Sequence, residues 1–125
     1  MNRYVREMTY ARKQPTVSIT GDGAGLGSNV YEFGERHTRS AFRRYARRIA
    51  QIAIRLTDVN GVRGGIDKEC RIQMRLVPKG RLVARARDAN VYAALTLAVE
   101  RAVRLLDCKL KRRRSMTRFR MEELR

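Results

Sequence analysis

Six arginines, Arg36, Arg39, Arg43, Arg44, Arg47 and Arg48, fall in one short stretch that contains no acid. A guanidinium is a planar fork of donors that grips a phosphate through two parallel hydrogen bonds and also stacks on bases. Repeated at near-helical spacing, such forks would neutralise the phosphates of a nucleic acid and release their counterions. A second group comes late in the chain: Arg101, Arg104, Lys109, Lys111 and Arg112, with Arg85 and Arg87 leading into it. Solvated faces ordinarily mix the two signs, which the first group does not. The chain as a whole leans the same way, since 29 Lys and Arg against 12 Asp and Glu give its 125 residues a formal charge of +17. Self-repulsion of that size weakens a compact state unless a polyanion is present. RNA contact is therefore the first chemistry to consider.

Other chemistries have weaker support. Cys70, Cys108 and His37 could be imagined around zinc, but neither cysteine has a close partner, and Cys70 sits on the apolar face of a strand as a small buried hydrophobe does. Asp58, Asp67 and Glu69 flank a turn and have basic neighbours, so charge balance explains them better than catalysis. The stretch GDGAGLGS at 21–28 follows a strand and precedes a helix, where a phosphate cradle could sit. Its spacing is not that of a nucleotide-binding loop and no Gly-Lys-Ser/Thr follows, so a flexible connector is expected. We expect no enzyme, no catalytic residue, no metal, no cofactor and no small-molecule substrate. No apolar run approaches the roughly 18 residues that would span a bilayer, and a membrane partner is not expected. The two cysteines make no disulfide framework, which points to the reducing cytoplasm.

The elements that must position these residues follow from periodicity. Residues 1–15 are polar and basic and read as a flexible extension. Thr16–Thr20 alternates and is β-branched, predicting a short strand. From Asn29 to Arg48 the spacing predicts a helix, with Phe42, Tyr45, Ala46 and Ile49 as its apolar stripe and the arginines on another face. Ile49–Asp58, Glu69–Val77 and Leu82–Arg87 alternate with period two, with Pro78-Lys79-Gly80 as a tight turn. These three closely joined strands are expected to be antiparallel, one face covered and the other bearing Arg. Asn90 is the expected N-cap of a second helix, with Val91, Leu95, Ala98, Ala102, Leu105 and Leu106 as its buried stripe. That helix is expected to fray beyond about Arg114, leaving 114–125 as a basic tail. The domain proper is then 16–113, an α+β fold: a two-layer β-α-β-β-β-α sandwich with both helices on one face of one sheet.

The chain from about Val17 to Arg113, most strongly from Ile49 onward, resembles a known family. Leu56-Thr57-Asp58 followed by Asn60-Gly61 and Gly64-Gly65, then Asp67-Lys68 leading into Cys70, carry the resemblance. Asn90-Val91-Tyr92-Ala93-Ala94 opening the last helix, with Leu105-Leu106 and Leu110 closing it, extend it. These residues resemble the ribosome hibernation promoting factor and ribosome-associated inhibitor (HPF/RaiA) family, in its short form. The resemblance implies a fold like a double-stranded-RNA-binding domain and a non-enzymatic bacterial factor of translation regulation under stress. It also implies a small-ribosomal-subunit partner, bound through rRNA in the decoding channel where mRNA and tRNA would sit. The family's C-terminal dimerisation domain has no room here, so a monomer is expected. The glycine loop departs from the family pattern.

Two other classes of function fit the composition. One is a general nucleic-acid-binding protein or RNA chaperone without a unique ribosomal site. The other is a subunit that needs an acidic protein partner. Saturation at one copy per ribosome, or survival of a partner after nuclease, separates them from the first.

Overall fold

A computed structural model of the chain describes residues 14–22, 27–58 and 68–123. The element order is β1 (Thr16–Asp22), α1 (Ser28–Ala41), a 3-10 segment (Arg43–Arg48), β2 (Ile49–Asp58), β3 (Lys68–Leu76), β4 (Arg81–Asp88) and α2 (Val91–Glu123). The strands form one sheet in the order β1-β2-β3-β4. β1 lies parallel to β2, whereas β2/β3 and β3/β4 are antiparallel. Parallel neighbours need a crossover, and α1 with the 3-10 segment supplies it.

Period two decides which face is covered. Ile52, Ile54 and Leu56 of β2 are buried, as are Cys70, Ile72, Met74 and Leu76 of β3 and Leu82, Ala84 and Ala86 of β4. Both helices pack on this face. Val30, Gly34 and Thr38 of α1 and Ala94, Leu95, Ala98, Val99, Ala102, Leu106 and Leu110 of α2 complete the core. The two-layer α+β sandwich is as expected, and its likeness to a double-stranded-RNA-binding domain is a loose one.

Glycine and alanine set the layer spacing. A Cβ on Gly34 would stand 2.9 Å from Ile19 Cδ1 and 3.0 Å from Leu95 Cδ1, so any larger residue would push these methyls aside, and glycine lets α1 sit this close to β1 and α2. In the turn after β3, Gly80 has φ +116°, a left-handed conformation that other residues adopt only with strain. Asn90 caps α2 as expected, its Oδ1 accepting from the backbone N–H of Tyr92 at 2.8 Å and of Ala93 at 3.4 Å.

Three expectations need correction. The helix predicted over 29–48 stops at Ala41, and the chain tightens into the 3-10 segment. An i, i+3 spacing is common to both kinds of helix, so the burial of Phe42 and Tyr45 does not tell them apart. The residues that seat α1 are instead Val30, Gly34 and Thr38, and Ile49 already belongs to β2. Leu105, placed in the buried stripe of α2, is 44% exposed, and Val99 and Leu110 take its place. Finally, α2 does not fray at Arg114 but continues to Glu123, so most of the expected tail is helix. Beyond Arg113, which still reaches the turn after β3, this helix runs on to Glu123 for roughly 15 Å at 1.5 Å per residue. Most of the expected extension 1–15, residues 23–26 of the glycine loop, and Asp67 lie outside the described residues. Among the described residues, no helix is long and apolar enough to cross a membrane.

Candidate nucleic-acid interface

Arg43, Arg44, Arg47 and Arg48 are exposed on the 3-10 segment, and Arg36 is exposed on α1. Arg104, Lys111 and Arg112 are exposed on α2. One polar contact brings these groups together. Tyr45 Oη donates to Asp107 Oδ1 at 3.0 Å, across 62 positions of sequence. Arg44 Nη2 donates to the same phenol oxygen at 2.8 Å, and its guanidinium carbon stands 5.0 Å from the Tyr45 ring centroid. Lys111 Nζ pairs with Asp107 Oδ2 at 3.2 Å. Arg104 and Lys111 lie three and four positions from Asp107, on the same side of α2. The hydrogen bonds from Lys111 and Tyr45 hold the Asp107 carboxyl below its ordinary pKa. The hydrogen bond to Tyr45 raises the Arg44 pKa further above its ordinary value. The two cation-rich segments therefore touch at one ionised carboxylate, with Arg44 and Lys111 gathered around it.

Not every predicted cation stands free. Arg39 is half-buried, its Nε donating to Glu35 Oε2 at 3.3 Å and its Nη1 to Gln14 Oε1 and the Pro15 carbonyl, each at 3.5 Å. It fastens α1 to the entrance of β1. Arg101 Nη1 donates to the Arg85 carbonyl at 2.6 Å, and Lys109 Nζ donates to the Arg81 carbonyl at 3.0 Å. Arg113 Nη2 likewise donates to the Lys79 carbonyl. Arg101 and Lys109 occupy the outer edge of β4, where bare carbonyls would otherwise invite another strand, and Arg113 holds the turn before it.

Arg85 and Arg87 belong elsewhere. Grouped with the last helix in the sequence, they project from β4 onto the sheet face turned away from both helices. Arg55, Arg71, Arg75 and Arg81 share that face, and the sequence-based set of contacts omitted them. The period-two alternation that predicted the buried face was the signal that could have found them.

Tyr92 packs against α1, edge-on to Phe33 with ring centroids 5.2 Å apart, and remains 38% exposed. Phe33 in turn stacks on His37 at 5.4 Å. Cys70 is fully buried on the core face, where desolvation, then the nearby Glu69 charge, pushes its thiol up to about 12. Cys108 is exposed on α2. Asp58 pairs with Lys68 at 3.1 Å and Glu69 with Arg87 at 3.8 Å, which is the charge balance expected of them.

The sequence matches no family model, and no curated protein matches it. Solved structures do match. The N-terminal domain of Thermus thermophilus Protein Y is similar with a TM-score of 0.58 at 20% identity, over 74% of this chain and 93% of that one. A ribosomal subunit interface protein from Coxiella burnetii is similar with a TM-score of 0.56 at 18% identity, over 79% of this chain and 97% of that one. The chain thus has the fold of the Protein Y N-terminal domain and of this ribosomal subunit interface protein, with its two cation-rich segments joined through Tyr45 and Asp107.

Proposed function

We propose that this protein is a cytoplasmic ribosome-associated factor that binds small-subunit rRNA in the decoding channel and silences translation by excluding mRNA and tRNA. The observation that carries the proposal is the Tyr45–Asp107 contact, which ties two cation-rich segments together on a fold shared with a ribosomal subunit interface protein. Arg43, Arg44, Arg47, Arg48, Arg104, Lys111 and Arg112 supply the phosphate contacts there, with Arg36 at its margin. Such contacts give affinity with little sequence preference, so selection of the ribosome rests on the shape of the groove. The mechanism is occupancy. No bond is made or broken, and a monomer without cofactor suffices.

The test is co-sedimentation with purified ribosomes at moderate salt, followed by competition with mRNA and tRNA. Saturation at one copy per small subunit, with mRNA and tRNA displaced, is the expected result. Coating of any RNA without saturation would replace this function with that of a general RNA chaperone.

A further inference from the structure

The sheet face turned away from the helices carries a second charge pattern. Pairing brings Arg55, Arg71 and Arg85 side by side on β2, β3 and β4, and sets Arg75 opposite Arg81. All five are exposed. Directly opposed side chains have Cβ atoms about 4.5–5.5 Å apart, and like charges so placed destabilise the sheet. Arg71 faces an arginine on each side. Among the described side chains of this face Glu69 is the one acid, and it is taken by Arg87.

We propose that this face is a second RNA-binding surface, back to back with the helical one, that takes the phosphates of a separate RNA segment. One molecule would then be clamped between two segments. The proposal rests on the function given above only in that the helical surface holds the first segment.

The side chains favour RNA over the other anionic partners. Every cation at the outward strand positions is Arg, whose fork matches phosphate, whereas Lys68 turns inward to Asp58. Protein interfaces draw their affinity from buried aromatic anchors, and this face has none among its described side chains. Its large exposed hydrophobes are Val83, at 40%, and Val77 just past the end of β3, at 41%, too little to insert into a lipid surface. A row of guanidinium groups with little apolar area fits a phosphate backbone, whose contacts are charge and hydrogen bonds.

The experiment uses the full chain bound to an immobilised RNA hairpin, over which a second, fluorescent hairpin is passed. The wild type is expected to capture about one second hairpin per protein. The variant Arg71→Thr/Arg85→Thr should still bind the first hairpin but capture less than about a tenth as much of the second. Its salt slope for capture should fall by roughly two, one per lost phosphate contact. The proposal is overturned if the wild type captures no second hairpin, or if the variant captures as much as the wild type.

The variant Arg43→Gln/Arg47→Gln separates the two claims. If it alone weakens binding of the first hairpin, the helical reading stands whatever happens to capture. If only the sheet variant changes anything, the sheet proposal stands and the helical reading fails. Without RNA, the sheet variant should melt no lower than the wild type, because two opposed charges are gone. A clearly lower melting temperature would mean that the arginines support the fold and would overturn the like-charge premise. Phosphatidylserine vesicles or polyglutamate binding the wild type as tightly as the hairpin, and losing it in the sheet variant, would overturn RNA as the occupant.

Discussion

Removing Arg43, Arg47 and Arg104 together should weaken ribosome binding by two orders of magnitude while leaving the fold intact. All three are exposed and lie around the Tyr45–Asp107 junction. Arg101 is left out because it donates to the Arg85 carbonyl at the sheet edge, so changing it would mix folding with binding. Gln keeps helix propensity close to that of Arg. Each phosphate contact contributes a slope of roughly 0.7–0.9 in log K against log salt, which is about 0.7–0.9 log units at 0.1 M relative to 1 M. Three lost contacts therefore predict a loss of roughly 100–500-fold at 0.1 M and only about 30–80-fold at 0.2 M. The assay is equilibrium co-sedimentation with ribosomes across a salt series, with circular dichroism as the check on folding. The control changes Arg3, Arg6 and Arg12 to Gln, which removes the same charge from the chain's first residues. A control that loses as much affinity as the helical variant would show that total charge governs binding and that the surface around Asp107 is no site. A loss that stays constant from 0.1 to 0.2 M would refute the counterion-release mechanism itself.

Three further outcomes follow from the packing and the titrating groups. Leu95→Asp or Ile54→Asp places an unpaired charge where the wild-type side chain is 0% or 2% exposed. Such a change costs several kcal/mol, about the margin of a domain this size, and native circular dichroism should be lost. A thiol reagent at pH 8 should add one label per native molecule, at exposed Cys108, and a second only in denaturant. Cys70 is buried with its thiol pushed up to about 12, so raising the pH to 9 should not expose it to labelling. The Asp107 carboxyl is held below its ordinary pKa, so its contribution to folding is complete above the unfolded value and lost as pH falls through the folded one. Asp107→Asn should therefore flatten the acid limb of the melting temperature, which a pH series of thermal melts will show.

Much of the architecture was legible because alternation is a local, one-dimensional signal. Ile52, Ile54 and Leu56 on one side and Ala53, Arg55 and Thr57 on the other define the faces of β2 without any knowledge of its neighbours. Asn90 is similarly local, since a cap bonds to amides two and three residues away. The seat of α1 was not legible, because Val30, Gly34 and Thr38 are small or polar and carry no apolar stripe. Their burial follows from close approach to Ile19 and Leu95, which are distant in sequence.

The sequence by itself determined that the chain is cationic and that it has three alternating strands, a capped second helix and a covered face opposite an arginine-bearing one. Each of these depends on residue type and on spacing within a few positions. Tertiary structure alone decided that β1 joins β2 in parallel and that α1 gives way to a 3-10 segment at Phe42. It alone removed Leu105 from the core. It also sorted the cations. Arg39, Arg101 and Lys109 hold the protein's own groups, Arg85 and Arg87 project from the far face, and Arg44 and Lys111 gather at Asp107. The physical reason is the same in each case: a long side chain's partner is set by what the fold carries within a few ångströms, and those groups lie tens of positions away in the chain.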